Sequence, residues 1–363
     1  MHLEDGLPLE HHPIMSSEIA PLGPPHPWDP QFKRRGRLHR LVQAPLFLFV
    51  LLPLALLRVA VILFAAVLLA LCVNVCQIDA VYEFILSVVG RCLLFSFGVW
   101  PGMLSVKGKR QFSKVPMVVV APHVGLLEAC FFMYDGQPRP MALEPYSKLP
   151  IVGTLFKRQG GIAVPLPKAD MAAGAKAAVD PTTSVAPGAM AMAPASEGAH
   201  PAPPKKQSAA TERVRAAIQT HKKAWMHDPK SSARPVLILP EGTAHSGQSM
   251  LKFFSGAFDG GGPVQPVLLG YPKTLGSNAA FYAGTLAEHA VTLLCVPWQR
   301  MNVTYMAVHT PTEDEEADAE LYAERVRKIM ARAANLPLSE YSARELRKEL
   351  KEKALSKLNG HRE

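Results

Sequence analysis

A histidine followed five residues later by a carboxylate, His123 and Glu128, is the pairing in this chain best suited to acid–base chemistry. An imidazole titrates near neutral pH and takes a proton from a hydroxyl when a neighbour fixes its tautomer. Glu128 is the local candidate for that neighbour. Five residues apart, the two do not share a face of one ideal helix. The pair therefore works only if His123 sits in a turn ahead of the helix carrying Glu128, and Ala121-Pro122 supplies the break. Taken alone, the same spacing also describes an ordinary loop histidine. Leu239-Pro240-Glu241-Gly242-Thr243 repeats the arrangement, a polar group delivered after an apolar run. Glu241 is suited to orient a bound headgroup or the base, and Gly242 lets a ligand approach the backbone. Lys148, Lys157, Arg158 and Lys252 are cations available to a phosphate. His245 is a second imidazole near Glu241, with no role that the sequence assigns. No Gly-rich phosphate loop, G-x-S-x-G elbow or H-E-x-x-H zinc pattern occurs. Direct base-assisted transfer without a covalent enzyme intermediate is then the simplest chemistry, and no metal site is expected.

These residues need a sheet to hold them. Apolar, β-branched runs at Val118–Val120, Ile162–Val164, Val236–Leu239, Val264–Leu269 and Val303–Val308 read as strands with helical stretches between them. Such alternation predicts an α/β fold with a mixed, mostly parallel sheet flanked by helices. Ligands bind outside the carboxyl ends of strands in such sheets, which is where His123 falls. Residues 107–341 are taken as this domain, interrupted by a Pro-, Ala- and Gly-rich flexible insertion over 165–210. The acidic run Glu313–Glu316 reads as the charged first turn of a helix. Ser342 and Glu345 form a capping-box pattern that opens a charged C-terminal helix over 342–363.

The N-terminal third differs in kind. Residues 1–40 are Pro- and His-rich and end in a basic cluster, and they read as a disordered tail. Residues 41–106 hold two apolar segments, Leu46–Cys72 and Phe84–Met103, interrupted by Pro53, Arg58 and Arg91. The first exceeds the ~20 residues that span a bilayer, and together they predict a membrane-embedded helical hairpin. Basic residues flank the pair on both outer ends, so the positive-inside rule places the remainder of the chain in the cytosol. Arginines within the apolar segments favour a shallow hairpin over two full spans. A net charge of +9 suits anionic lipid or an anionic substrate, and the membrane segments favour these over nucleic acid. Five scattered cysteines show no paired spacing, so no disulfide framework or zinc site is indicated.

Ala121-Pro122-His123 with Glu128, Pro150-Ile-Val-Gly-Thr154, Pro240-Glu-Gly-Thr243, Gly256-Ala-Phe258 and Pro263-Val-Gln-Pro-Val267 follow one another behind the apolar pair. In that order they resemble the membrane-bound glycerophospholipid acyltransferases, and within them the lysophosphatidylcholine acyltransferase branch. The resemblance implies acyl transfer from acyl-CoA, a substrate rather than a cofactor, to the free hydroxyl of a lysophospholipid at an internal membrane, the endoplasmic reticulum. It implies His123 as base, Glu128 as its partner, and Glu241, Gly242 and Thr243 at the acceptor site, with donors there steadying the tetrahedral oxyanion. Three departures stand out. The histidine's partner is glutamate where the family has aspartate. The second block lacks its arginine, the aligned position being Leu166, and Arg158 and Lys168, neither in register, are the nearby candidates for phosphate. The third block continues Ala244-His245-Ser246-Gly247. Acylation of lysophosphatidic acid or glycerol 3-phosphate, or a catalytically silent lipid-binding protein, are the alternative readings.

Overall fold

A computed structural model of the chain describes residues 52–75, 78–165, 209–228, 234–245, 247–272, 286–343 and 345–346. The tail over 1–40, the insertion from 166 to 208 and the C-terminal helix beyond 346 lie outside the described residues.

The sheet is mixed and mostly parallel. Five strands, β1 (Leu104–Lys107), β2 (Met117–Ala121), β5 (Val236–Ile238), β6 (Val264–Gly270) and β7 (Met301–Tyr305), lie in the order β1-β7-β6-β2-β5. Only the β6–β7 pairing is antiparallel. A second parallel pair, β3 (Met141–Leu143) and β4 (Ile162–Val164), adjoins it through a bridge between Arg139 and Val236. The sheet thus begins at Leu104, ahead of the boundary expected at 107.

Strand β2 is buried along its whole length, as a β-branched run flanked by two parallel neighbours should be. Its side chains alternate between two cores. Val118 and Val120 pack with Phe131 of α3 (Leu127–Tyr134) and Leu293 of α7 (Leu286–Cys295). Met117, Val119 and Ala121 pack with Ile218 of α6 (Ala209–His227) and with Tyr322 and Val326 of α9 (Ala319–Ala334). Two short helices, α4 (Glu144–Ser147) and α5 (Pro150–Arg158), join β3 to β4. The acidic run forms α8 (Glu313–Ala317), closed by a Thr312–Glu315 capping box.

The two N-terminal helices, α1 (Leu52–Val75) and α2 (Asp79–Ser96), pack on one another through Ala65, Leu69, Cys72, Tyr82, Leu86 and Val89. Among the described helices α1 alone is long and apolar enough to cross a bilayer, over Leu52–Asn74. The second apolar segment, expected over Phe84–Met103, is corrected. Its helix starts at Asp79 and stops at Ser96, where Gly98 takes a left-handed φ of +90°. One face of α2 is buried, through Tyr82, Leu86, Val89, Gly90 and Leu94, while Val81 and Phe84 are exposed. Gly90 lies so close to the Met133–Tyr134 backbone that a Cβ there would collide with it.

Both arginines within the apolar segments turn inward. Arg58 is wholly buried and donates to the carbonyls of Leu294 (2.8 Å), Val296 (2.5 Å) and Pro297 (2.7 Å), at and just beyond the end of α7. A cation at a helix C-terminus meets the carbonyls that the helix leaves unpaired. Arg91 lies over the Tyr134 ring, 5.7 Å from its centroid. At the other end of the helix pair, Glu83 pairs with Arg234 and Asp79 lies 3.8 Å from Arg158. Contacts at both ends thus tie the pair to the α/β unit.

Candidate active site

Strands β5, β2 and β6 are mutually parallel neighbours, so their carboxyl ends open on one edge of the sheet. The residues beyond those ends are Glu241, His123 and Tyr271. His123 follows the cis Ala121-Pro122 peptide, in the turn before α3, while Glu128 sits in the first turn of that helix. The turn-then-helix arrangement that the spacing required is therefore present. His123 Nδ1 lies 3.2 Å from Glu128 Oε2. The two are 7% and 2% exposed.

Glu128 does more than face the imidazole. Its Oε1 accepts from the N–H groups of Val124 (2.6 Å) and Gly125 (2.9 Å), and from the Tyr271 hydroxyl at 3.4 Å. Its Oε2 also accepts from Gly125 at 3.0 Å. The longer glutamate thus reaches back over the turn and satisfies the amides that open the helix. Because a carboxylate only accepts, His123 donates through Nδ1–H and keeps Nε2 as its acceptor. Burial pushes the His123 pKa down. The Glu128 charge and hydrogen bond push it up, Glu241 adds to them, and the result stands above the ordinary 6.5. Tyr271 is held far above the usual phenol range by burial and by Glu128, so it stays a donor.

Glu241 is fully buried and is hydrogen-bonded to the backbone of His123. Its Oε2 accepts the His123 backbone N–H at 2.6 Å and meets His245 Nε2 at 2.8 Å, while Oε1 accepts the Leu251 N–H at 2.8 Å. Gly242 has a φ of +67°, and a Cβ would run into the Phe254 ring. Glycine is required there by the turn that turns Glu241 inward. Thr243 is buried, 4% exposed, within the same turn. Arg158 is placed elsewhere. Its guanidinium lies 3.8 Å from the Tyr82 ring centroid and 3.4 Å from the Cys72 carbonyl, at the junction of α1 and α2.

A groove of about 800 Å³ runs between α4, α5, the end of β4 and α6. Lys148, Lys157 and Arg213 line it, but His123, Glu128 and Glu241 do not. Lys148 is paired with Glu144 at 2.8 Å. The groove supplies volume and positive charge, whereas the hydrogen-bonded cluster at the strand ends supplies the chemistry. We therefore take the cluster as the site. Among the described residues no three His, Cys, Asp or Glu side chains are grouped to hold a metal ion.

Sequence reasoning found His123 and Glu128 but not Tyr271, which directly follows the last residue of β6. The signal was the rule already applied to His123, a polar group just past a strand end.

Several known proteins resemble the chain over much of its length. No family model matches the chain. A lysophosphatidylcholine acyltransferase of Drosophila melanogaster is 28% identical over 255 residues, 70% of this chain and 39% of that protein. The lysophospholipid acyltransferase LPEAT1 of Arabidopsis thaliana is 32% identical over 225 residues, 62% of this chain and 46% of that protein. Human lysophosphatidylcholine acyltransferase 2 is 25% identical over 321 residues, 85% of this chain and 50% of that protein. The crystal structure of the 1-acyl-sn-glycerophosphate acyltransferase PlsC of Thermotoga maritima aligns with a TM-score of 0.42 at 14% identity, covering 78% of this chain and 98% of that one. At that score it adds nothing to what the sequence relatives carry. The chain is thus similar to proteins named as lysophosphatidylcholine and lysophospholipid acyltransferases. The chain spans half or less of the length of each of these three relatives.

Proposed function

We propose that this protein transfers a fatty acyl group from acyl-CoA to the free hydroxyl of a lysophospholipid, with lysophosphatidylcholine the first acceptor to try. The observation carrying the reading is the His123–Glu128 pair, in which Nδ1 is committed to a carboxylate and Nε2 is left to accept a proton. Nε2 takes the hydroxyl proton as that oxygen attacks the thioester carbonyl. The tetrahedral intermediate then collapses and breaks the carbon–sulfur bond. The imidazolium returns its proton to the departing CoA thiolate, so no acyl group rests on the protein. Glu128 stabilises the transient imidazolium and holds the ring, and the Glu241 turn holds the histidine's backbone.

The acceptor is a membrane lipid, and the protein meets it at a membrane surface. Leu56, Leu63, Phe64, Val67 and Leu71 of α1 are each more than half exposed, a contiguous apolar face that lipid would cover. The expected location is the endoplasmic reticulum, with the α/β unit on the cytosolic side. The test is transfer of label from acyl-CoA to a panel of lysophosphatidylcholine, lysophosphatidylethanolamine, lysophosphatidic acid and glycerol 3-phosphate. Preference for lysophosphatidylcholine supports the proposal. Preference for the latter two would move the acceptor to the phosphatidic acid branch, and no transfer to any acceptor would leave a silent lipid-binding protein.

A further inference from the structure

His245 is a second buried imidazole in the strand-end cluster, and the chemistry proposed above does not use it. Its backbone N–H donates to the His123 carbonyl at 3.0 Å. Its Nε2 meets the same Glu241 oxygen, at 2.8 Å, that accepts the His123 N–H at 2.6 Å. The His123 residue is therefore gripped through both its N–H and its C=O by the 241–245 turn. The state of the second ring follows from its other nitrogen. Nδ1 accepts the Gly247 N–H at 3.2 Å, so it carries no proton, and Nε2–H is the donor to Glu241. Gly247 has a φ of +70°, and a Cβ there would stand 3.0 Å from the Val124 side chain. The turn that fixes the His245 ring thus rests on the loop just after His123. Glu241's bonds to His123 and Leu251 come from backbone N–H groups, whereas His245 donates from a side chain.

We infer that His245 is a positioning residue for His123, acting through the Glu241 carboxylate and touching neither substrate. This rests on the reading of His123 as the base. Without the Nε2–H donor, Glu241 Oε2 keeps the His123 N–H alone, and the carboxylate can swing about its last torsion. The His123 peptide then loses its fixed anchor. Misplacement of a catalytic group by an ångström costs rate on the order of 100-fold, without a matching change in substrate binding.

The test compares His245→Ala with His245→Gln, whose side-chain amide can bring a donor near the place of Nε2. For the alanine variant kcat falls by about 10- to 100-fold, with KM for both substrates nearly unchanged. The glutamine variant recovers most of the loss. Should the alanine variant not fold, His245→Asn replaces it, since the shorter amide falls short of Glu241 and the same drop in kcat is expected. Wild-type kcat in the variants lacking the donor, an equal loss with glutamine, or a loss confined to KM would each overturn the inference. His123→Ala is assayed alongside. An active His123→Ala contradicts the base itself, whereas an inactive His123→Ala beside a fully active His245→Ala contradicts only the positioning role.

Discussion

At the scale of residues, the imidazole's tautomer and its pKa both follow from Glu128. The His123 pKa is raised, so the neutral base is lost as pH falls through a value above that of free histidine. The acid limb of kcat/KM is accordingly expected to centre above about pH 6.5. Glu128→Gln removes the charge and leaves the downward push of burial, so the limb moves to lower pH while kcat drops by roughly 10²- to 10⁴-fold. A pH–rate profile of the two proteins checks both, and an unmoved limb would contradict the pairing. Glu128 also holds the amides of Val124 and Gly125. From the sequence, glutamate is a departure that asks for a small shift. In the structure its length is used, because an aspartate would have to give up part of this set. His123 and Glu128 were legible because residue type and a strand-ending proline sufficed. The inward turn of Glu241 was not, because its partners are backbone groups of His123 and Leu251, over a hundred positions away in one case and ten in the other.

At the scale of elements, legibility followed β-branched composition: β2, β4 and β5 each carry Val or Ile, and β3 (Met-Ala-Leu) carries neither. Strand β2 is buried throughout and reads as a continuous apolar run, whereas β1 (Leu-Ser-Val-Lys) is mixed and mostly exposed. Helix α1 concealed its orientation because its exposed side is as apolar as its buried one. Its inner face is marked by Arg58, Ala65, Leu69 and Cys72, spaced as one helical stripe. Arg58→Leu would leave the carbonyls of Leu294, Val296 and Pro297 without their donor. Each unpaired buried carbonyl costs about 1–3 kcal/mol, partly relieved by rearrangement. Thermal unfolding of the full chain in detergent should show a lower midpoint, and an unchanged midpoint would mean that this contact does not fasten α1 to the α/β unit.

At the scale of the whole molecule, α1 and α2 lie against the helices α3, α5 and α7, fastened near Arg58 at one end and near Arg158 at the other. That geometry offers the membrane the outer face of α1. Two charges placed there, Leu63→Asp with Phe64→Asp, should move much of the protein from the membrane pellet to the supernatant. Unchanged sedimentation would place the membrane contact elsewhere. The account's central claim is that His123 is the base of an acyl transfer, and initial rates with labelled acyl-CoA and lysophosphatidylcholine address it most directly. The full chain is predicted to form labelled phosphatidylcholine, and His123→Ala, folded to the same extent, to lose at least about 100-fold of that rate. Equal rates in the two proteins would contradict the claim.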